Sequence, residues 1–583
     1  MNRRIFAAPA IMALLHGQGM VSRKAETRSS PIARTTRAAP KVWFEDVGAG
    51  AGLTFRHVSG EPVNKTYLVE STGSGVAIFD FDNDGLPDIF LVNGAKWRYA
   101  KGEPQPTSRL FRNLGNLRFE DVTRKAGLEH TGWGQGVCIA DYDNDGFNDL
   151  FVTYWGQNVL YHNQGDGTFR DVTEAAGLLD KTRRWGTGCA FLDYDRDGNL
   201  DLAVANYVRF DPAETPKPGA NPLCMHKGMP VMCGPRGLMG GTNALYRNIG
   251  GGKFIDVSET SGFSNPAGYF GFSVVTGDFD NDGWPDVYIA CDSTPSILFR
   301  NNRNGTFTDI GVSSGTAFNQ DGREQAGMGA AAADFNHDGL IDLIKTNFAD
   351  DVPTLYQNNG RGFFTDITYQ AGLAVHNRFL GWGVGFVDVD HDGWKDILMV
   401  NGHIYPSIDK LGSNSPYRQE KNLYWNLGNG AFVDISAQSG PAIMAKHSAR
   451  GAAFGDLNND GALEVVVNNM DEAPSLLVNR AKKQNWLLVR LRGTKSSRDA
   501  IGARVTVKAS KLQQVDEVRS GGSYLSNSDK RLHFGLGTAP HVDWIEVRWP
   551  SGATERFPAA EANREIFLTE QQRRNTGAHV RSP

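Results

Sequence analysis

Five cysteines in 583 residues are too few to build a scaffold from disulfides, so the fold must rest on hydrophobic cores. Beyond the N-terminus no segment is apolar for the length a bilayer-spanning helix needs. No basic stripe with interleaved aromatics is present, so nucleic acid is not suggested as a partner. A G-x-S-x-G, an H-E-x-x-H and a phosphate-binding loop are also missing, which leaves no catalytic signature to follow. Helical periodicity of any length is scarce. Prolines number only 25 against 68 glycines, with no collagen-like period, and that excess asks for tight turns and closely packed strands. The length suits a large repeat domain followed by a smaller one.

The ends read differently from the middle. Arg3 and Arg4 precede the short apolar stretch Ile5 to Leu15, the order of an export signal over residues 1–21, although a clean A-x-A cleavage site is missing. A frayed cytosolic terminus is the alternative. Residues 22–41 read as a flexible linker and 571–583 as a disordered tail. Cys224 and Cys233 lie in a Pro/Gly-rich insertion, Pro212 to Gly241. Two readings are open there: a disulfide stapling the loop, or a soft-metal site using Met225, His226 and Met232 as well. An exported chain would favour the disulfide. Cys138, Cys189 and Cys291 sit in apolar runs and read as core residues.

The strongest signal is a nine-residue pattern, D-x-[D/N]-x-D-G-x-x-[D/E], that occurs seven times with starts 52 to 85 residues apart. Its acidic and amide positions are Asp80, Asp82, Asp84 and Asp88; Asp141, Asp143, Asp145 and Asp149; Asp193, Asp195, Asp197 and Asp201; and Asp278, Asp280, Asp282 and Asp286. They continue as Asp334, Asn336, Asp338 and Asp342; Asp388, Asp390, Asp392 and Asp396; and Asp456, Asn458, Asp460 and Glu464. Each copy follows a glycine-bearing apolar run and precedes a β-rich run and an L-[Y/F]-x-N segment, and the first six are also followed by an F-x-D-[V/I] segment. Four short strands per repeat describe a propeller blade, and seven repeats predict an all-β, seven-bladed β-propeller over residues 42–480. One F-x-D-[V/I] copy, Phe44 to Val47, precedes the first repeat, so it is expected to supply the outer strand of the seventh blade and close the ring.

The loop spacing suits Ca²⁺. Oxygens at positions one, three and five converge, glycine at six permits a sharp turn, the position-seven carbonyl points inward and the acid at nine completes the shell. Asn336, Asn458 and Glu464 depart from the common pattern, and the loops with asparagine are expected to bind more weakly. The bland alternative, a set of acidic hairpin turns, leaves three or four carboxylates per loop repelling one another. These loops hold 26 of the 65 acidic residues, and removing them would move the net charge from −5 to +21. Seven bound Ca²⁺ ions would instead bring it to +9, so the apparent acidity says little about partners.

Counting back from the loops places Glu70, Arg183, Arg184, Tyr269, Glu324, Gln325, Arg378, Lys446 and His447 at the opposite mouth of the channel. They are either a ligand-binding rim or plain solvated surface. After Asn479 the repeat stops, and residues 481–570 read as a small β-sandwich, with strands Trp486 to Leu491, Ala503 to Ala509, Val515 to Arg519, Leu532 to Phe534, Trp544 to Trp549 and Arg564 to Thr569.

The seven loops and their flanking strands resemble the FG-GAP/VCBS repeats of integrin-α-like propellers. Asn485-Trp486, Asp499 to Ala503, Gly521 to Ser526, His533 to Gly537 and Trp549 to Gly552 resemble the ASPIC/UnbV domain. Together the architecture is similar to the cartilage-acidic-protein family and its bacterial relatives. That resemblance implies a secreted, periplasmic or surface protein that binds calcium and an extracellular protein or glycan, in an adhesive or scaffolding role. The rival class is an enzyme at the channel mouth, glycan-cleaving or redox, using Glu70, Glu324, Arg378 and His447, with His403 as an outsider. Convergence of Glu70, Glu324 and His447 on one cleft would favour it.

Overall fold

Short apolar runs separated by turn residues form strands grouped four to a sheet. The structure is a computed structural model, and it describes residues 39–571. The expected export signal, almost all of the linker and the tail beyond Gln571 lie outside the described residues. In the first repeat Val76–Phe79, Asp88–Leu91, Arg109–Asn113 and Phe119–Asp121 pair antiparallel in that order. Five sheets of this kind stand separately, and an eight-stranded sheet joins two more where Arg184 and Trp185 pair with Gly156 and Trp155.

The first strands of these units are Val76–Phe79, Trp133–Ala140, Arg184–Leu192, Gly271–Gly277, Gly327–Ala333, Gly381–Val387 and Ala449–Gly455. Each contacts the next in chain order and the last contacts the first, so the sheets stand in a ring as a β-propeller. Glycine makes this close approach feasible. A Cβ on Gly188 would lie 2.3 Å from the Phe272 carbonyl oxygen, and one on Gly329 2.0 Å from that of Trp382. Phe44–Asp46 pairs with Ser475–Asn479, Phe44 opposite Asn479, so the last sheet takes its outer strand from ahead of the first repeat.

The C-terminal unit has two main sheets. One orders Leu532–Gly537, Asn485–Arg492 and Arg564–Thr569; the other orders Leu512–Glu517, Arg504–Ala509, Trp544–Arg548 and Thr554–Phe557. The strand expected at Val515 to Arg519 is displaced to Leu512–Glu517. Val518 still bonds to the backbone of Gly502 and Ala503, and Arg519 beyond it turns to the Thr276 carbonyl and to Asp516.

The axis of the ring is filled from both ends. Tyr524 and Leu525 of the C-terminal unit enter it and are buried among Trp185, Phe272 and Trp382, the Tyr524 ring standing edge-on to Trp382 at 4.6 Å. The Leu525 carbonyl accepts from the Val137 amide, and Asn527 bridges to Ala77. From the other end the insertion contributes buried Val231 and Met232 to the same core. Cys224 and Cys233 form a disulfide there, so both thiols are consumed and the soft-metal reading that used them is set aside. The other three cysteines are buried in the sheets.

Candidate metal centres

All seven acidic loops adopt one geometry. The residue at position four is left-handed in each, with φ between 57° and 61°, and the glycine at six has φ between 81° and 105°. Two left-handed steps so close together fold the loop back on its own side chains. The glycine amide then donates to the outer oxygen of the position-one aspartate, as Gly85 does to Asp80 at 3.0 Å and Gly461 to Asp456 at 2.7 Å. The position-seven amide donates to the position-five carboxylate, as Leu86 does to Asp84 at 2.9 Å. Such bonds hold the carboxylates in place without using all their lone pairs.

Carboxylates lie close together in loops that include the first four. Ligand-competent oxygens of Asp80, Asp82 and Asp88, of Asp141, Asp143 and Asp149, of Asp193, Asp195 and Asp197, and of Asp278, Asp280 and Asp282 lie within 4.8 Å of one another in each group. Asp141 Oδ1, Asp195 Oδ1, Asp280 Oδ1, Asp334 Oδ1 and Glu464 Oε1 are buried and accept no hydrogen bond. A buried anionic oxygen without a partner is costly, and a hard cation is the group that satisfies it. The donor set therefore fits Ca²⁺. Burial, reinforced by neighbouring acids, raises Asp141 to about 8, Asp193 and Asp334 to about 7, and Asp80, Asp278 and Asp456 to about 6. On the outer side, basic side chains approach the first four loops: Arg112 at Asp82 (2.7 Å), His162 at Asp143 (3.3 Å), Arg247 at Asp195 (2.7 Å) and Arg303 at Asp282 (2.5 Å).

Two features modify the expected ligand set. The acid at nine also ties strands together: Asp88 accepts the amides of Phe81 and Asn113 at 3.0 and 2.7 Å, and the pattern repeats in six loops. Asn336 and Asn458 turn their amides to the position-five acids, Asp338 at 2.9 Å and Asp460 at 3.2 Å. An amide that donates along the loop in this way replaces a carboxylate that could only accept.

The asparagine ending each L-[Y/F]-x-N segment has a role that sequence patterning does not assign. Its side-chain amide reaches the loop of the preceding sheet, as Asn163 does to the Phe81 carbonyl and Asn301 to that of Tyr194, both at 2.8 Å. The strict recurrence of asparagine at one offset is the signal that could have found it.

The C-terminal unit is seated on the loop face. Arg490 lies 3.8 Å from Asp80, Asp499 accepts the Asp141 amide at 2.8 Å, and Arg196 of the third loop donates to the Pro550 carbonyl at 2.6 Å. Arg548 pairs with Asp278, and Arg504 donates to the Gly339 carbonyl. The Gly537 amide donates to His391 O at 2.8 Å, and Arg531 to Asp456 O at 2.7 Å. Every loop is thus touched.

At the opposite mouth the candidate residues are engaged separately. Glu70 is fully buried and accepts the amides of Glu61, Thr66 and Tyr67 at 3.3, 2.6 and 2.8 Å. Glu324 pairs with Arg236 of the insertion (3.2 Å), and His447 with Glu472 (2.7 Å). Arg378 and Lys446 share Glu420, Arg184 lies near Asp180, Arg183 covers the Trp155 ring, Gln325 donates to Asp351, and Tyr269 packs against a sheet core. His403 is buried, its Nδ1 accepting the Tyr405 amide at 3.1 Å. Glu70, Glu324 and His447 have no partner in common among the described residues, so the convergence that would favour an enzyme is not found there.

A ring of sheets carrying D-x-D-x-D-G loops, capped by a β-sandwich, defines an integrin-α-like repeat propeller. The FG-GAP-like repeat pattern matches residues 80–152, 141–204, 233–289, 278–345 and 411–467, and the ASPIC and UnbV pattern matches 493–575. The chain belongs to the FG-GAP repeat proteins and carries an ASPIC/UnbV domain. It is 25% identical to cartilage acidic protein 1 of Xenopus tropicalis over 512 residues, 82% of this chain and 70% of that protein. Human cartilage acidic protein 1 is 28% identical over 289 residues, 47% of this chain and 37% of the human protein. Human integrin alpha-IIb is 27% identical over 178 residues, 26% of this chain and 16% of the integrin.

Proposed function

We propose that the protein is an exported, calcium-stabilised propeller that binds an extracellular protein or glycan in an adhesive or scaffolding role, and is not an enzyme. The observation that carries calcium is the set of buried, unpartnered carboxylate oxygens in loops of one repeated geometry. Relatedness to cartilage acidic protein 1 and to an integrin α chain supports a binding role. The disulfide supports an oxidising compartment, and no helix among the described residues is long and apolar enough to cross a membrane. The C-terminal unit covers the loop face and the axis is filled, which leaves the opposite face and the rim open to a ligand.

The test is a metal count on the purified full chain, thermal unfolding with and without chelator, and binding to arrays of glycans and matrix proteins. Several calcium ions per chain, a large fall in midpoint on chelation and a saturable ligand support the reading. Absence of bound calcium with an unchanged midpoint overturns the calcium part. Turnover of a glycan without stable binding overturns the binding part.

A further inference from the structure

We propose that calcium in the loops controls the seating of the C-terminal unit, making that unit a calcium-dependent lock on the propeller axis; this rests on the calcium reading above. The contacts that seat it are addressed largely to loop backbone. Arg531 reaches the Asp456 carbonyl, Arg504 that of Gly339, and the Gly537 amide that of His391. His533 Nε2 lies 2.8 Å from the Gly461 carbonyl. The His391 carbonyl belongs to position four and those of Gly339 and Gly461 to position six, the two left-handed residues of the loop, while the Asp456 carbonyl belongs to position one. An ion drawing the side chains inward favours this loop conformation over its alternatives.

Charge works in the same direction. An empty loop carries three or four carboxylates, and seating the unit takes away the water that screens them. With the unit seated, Asp141 Oδ1, Asp334 Oδ1 and Glu464 Oε1 are buried with no partner. A bound ion compensates that burial. Arg490, Arg548, Arg504 and Arg531 of the unit offset part of the charge on Asp80, Asp278, Asp334 and Asp456, but they leave the unpartnered oxygens without a donor. Arg548 and Arg490 approach the outer Oδ2 of Asp278 and Asp80, the atom that also accepts the glycine amide. Ion binding and seating therefore favour each other, and the coupling must be reciprocal. Its readout is the axial segment around Tyr524, which is held in the ring only while the unit is seated.

The decisive experiment is amide hydrogen exchange on the full chain, calcium-loaded and chelated, with bound calcium counted on the same samples. Four amides report seating directly: Val137 (bonded to Leu525 O), Ile78 (to Asn527 O), Asn527 (to Val76 O) and Ala330 (to Ser523 O). We expect these to exchange at least about tenfold faster after chelation while the second strands of the sheets, such as Asp286–Cys291, keep their protection. Calcium lost from the loops with no change at the four amides overturns the coupling and leaves the calcium reading standing. No calcium in the starting sample overturns both. Equal loss of protection in the second strands also overturns the proposal, because the ions would then hold the whole ring rather than the lock. By reciprocity, Tyr524→Ala should weaken calcium affinity by about fivefold or more. A folded variant with unchanged affinity overturns the proposal, and if the variant does not fold, the exchange measurement on the natural chain carries the test.

Discussion

The Asn113 side-chain amide donates to the Leu457 carbonyl at 2.7 Å, joining residues 344 positions apart and tying the first sheet to the last. The same amide nitrogen donates to Pro87 O at 2.8 Å, and the Asn113 backbone amide donates to Asp88. One residue therefore secures its own loop and the loop of the neighbouring sheet. Asn113→Ala should cost about 1–3 kcal/mol, because both carbonyls lose a buried donor that water cannot replace. Asn301→Ala, which breaks the equivalent clasp to Tyr194 within the ring, should cost a similar amount. Denaturant midpoints at constant slope check both. An Asn113 variant with wild-type stability would show that the seam does not depend on this clasp.

Protons and calcium compete for the same oxygens. In metal-stripped protein Asp141 sits at about 8, Asp149 and Asp193 at about 7 and Asp80 at about 6, against an ordinary 3.8, with burial as the main cause. A carboxyl whose folded pKa is raised gives stability that is full below 3.8 and lost as pH rises through its folded value. The stripped protein should therefore gain stability from these groups as pH falls from 8 toward 5. His57, held at about 4 by burial, acts oppositely: its contribution is present above 6.5 and is lost as pH falls toward 4. The calcium-dependent rise in unfolding midpoint should be largest near pH 8 and shrink toward pH 5. Paired melts of loaded and stripped protein at three pH values measure it, and an increment that grows toward acid would contradict the assignment of these loops as calcium ligands.

The sequence is most informative where geometry is local. D-x-D-x-D-G dictates its own turn, so spacing alone puts Asp80 to Asp88 and its six counterparts between two strands. The duplicated Phe44 to Val47 segment likewise reveals the splice, since an outer strand without a blade needs one. What escapes is non-local. Gly521 to Ser526 carries part of the resemblance to the ASPIC/UnbV domain, yet nothing in its sequence announces that Tyr524 and Leu525 fill the axis of the other domain. Counting puts Glu70 at a channel mouth but says nothing of the backbone amides that surround it. The double duty of Asp88, holding strands as well as facing the loop, depends on Asn113, 25 residues further on.

Glu70 separates a structural role from a catalytic one. Its carboxylate accepts three backbone amides in a buried turn, and a Cβ on Gly60 would lie 1.9 Å from its Oε1. Glu70→Gln keeps the shape but replaces one acceptor oxygen with a donor facing an N–H group. It should lower stability by about 1–3 kcal/mol. Ligand binding, once a ligand is found, should be unchanged at temperatures where the variant is folded. A variant of normal stability that has lost a measurable turnover would reverse the assignment and restore the channel-mouth enzyme.

The Cys224–Cys233 disulfide closes a short loop whose last residues, Val231 and Met232, enter the axial core. Without the link, the unfolded loop regains conformational freedom that the native insertion must give up. Replacing both cysteines by serine should therefore destabilise the protein by roughly 2–4 kcal/mol. The effect should be spatially graded. The insertion also meets the rim through Lys227–Asp350 at 2.9 Å and Arg236–Glu324 at 3.2 Å, exposed pairs worth little on their own. Limited proteolysis should cut between Pro212 and Gly241 in the double variant before any sheet is attacked. Calcium content should stay at the wild-type value, because the loops lie at the other end of the ring. If the variant instead loses calcium in parallel with cleavage, the two ends of the axis are coupled through the core that Met232 and Tyr524 share.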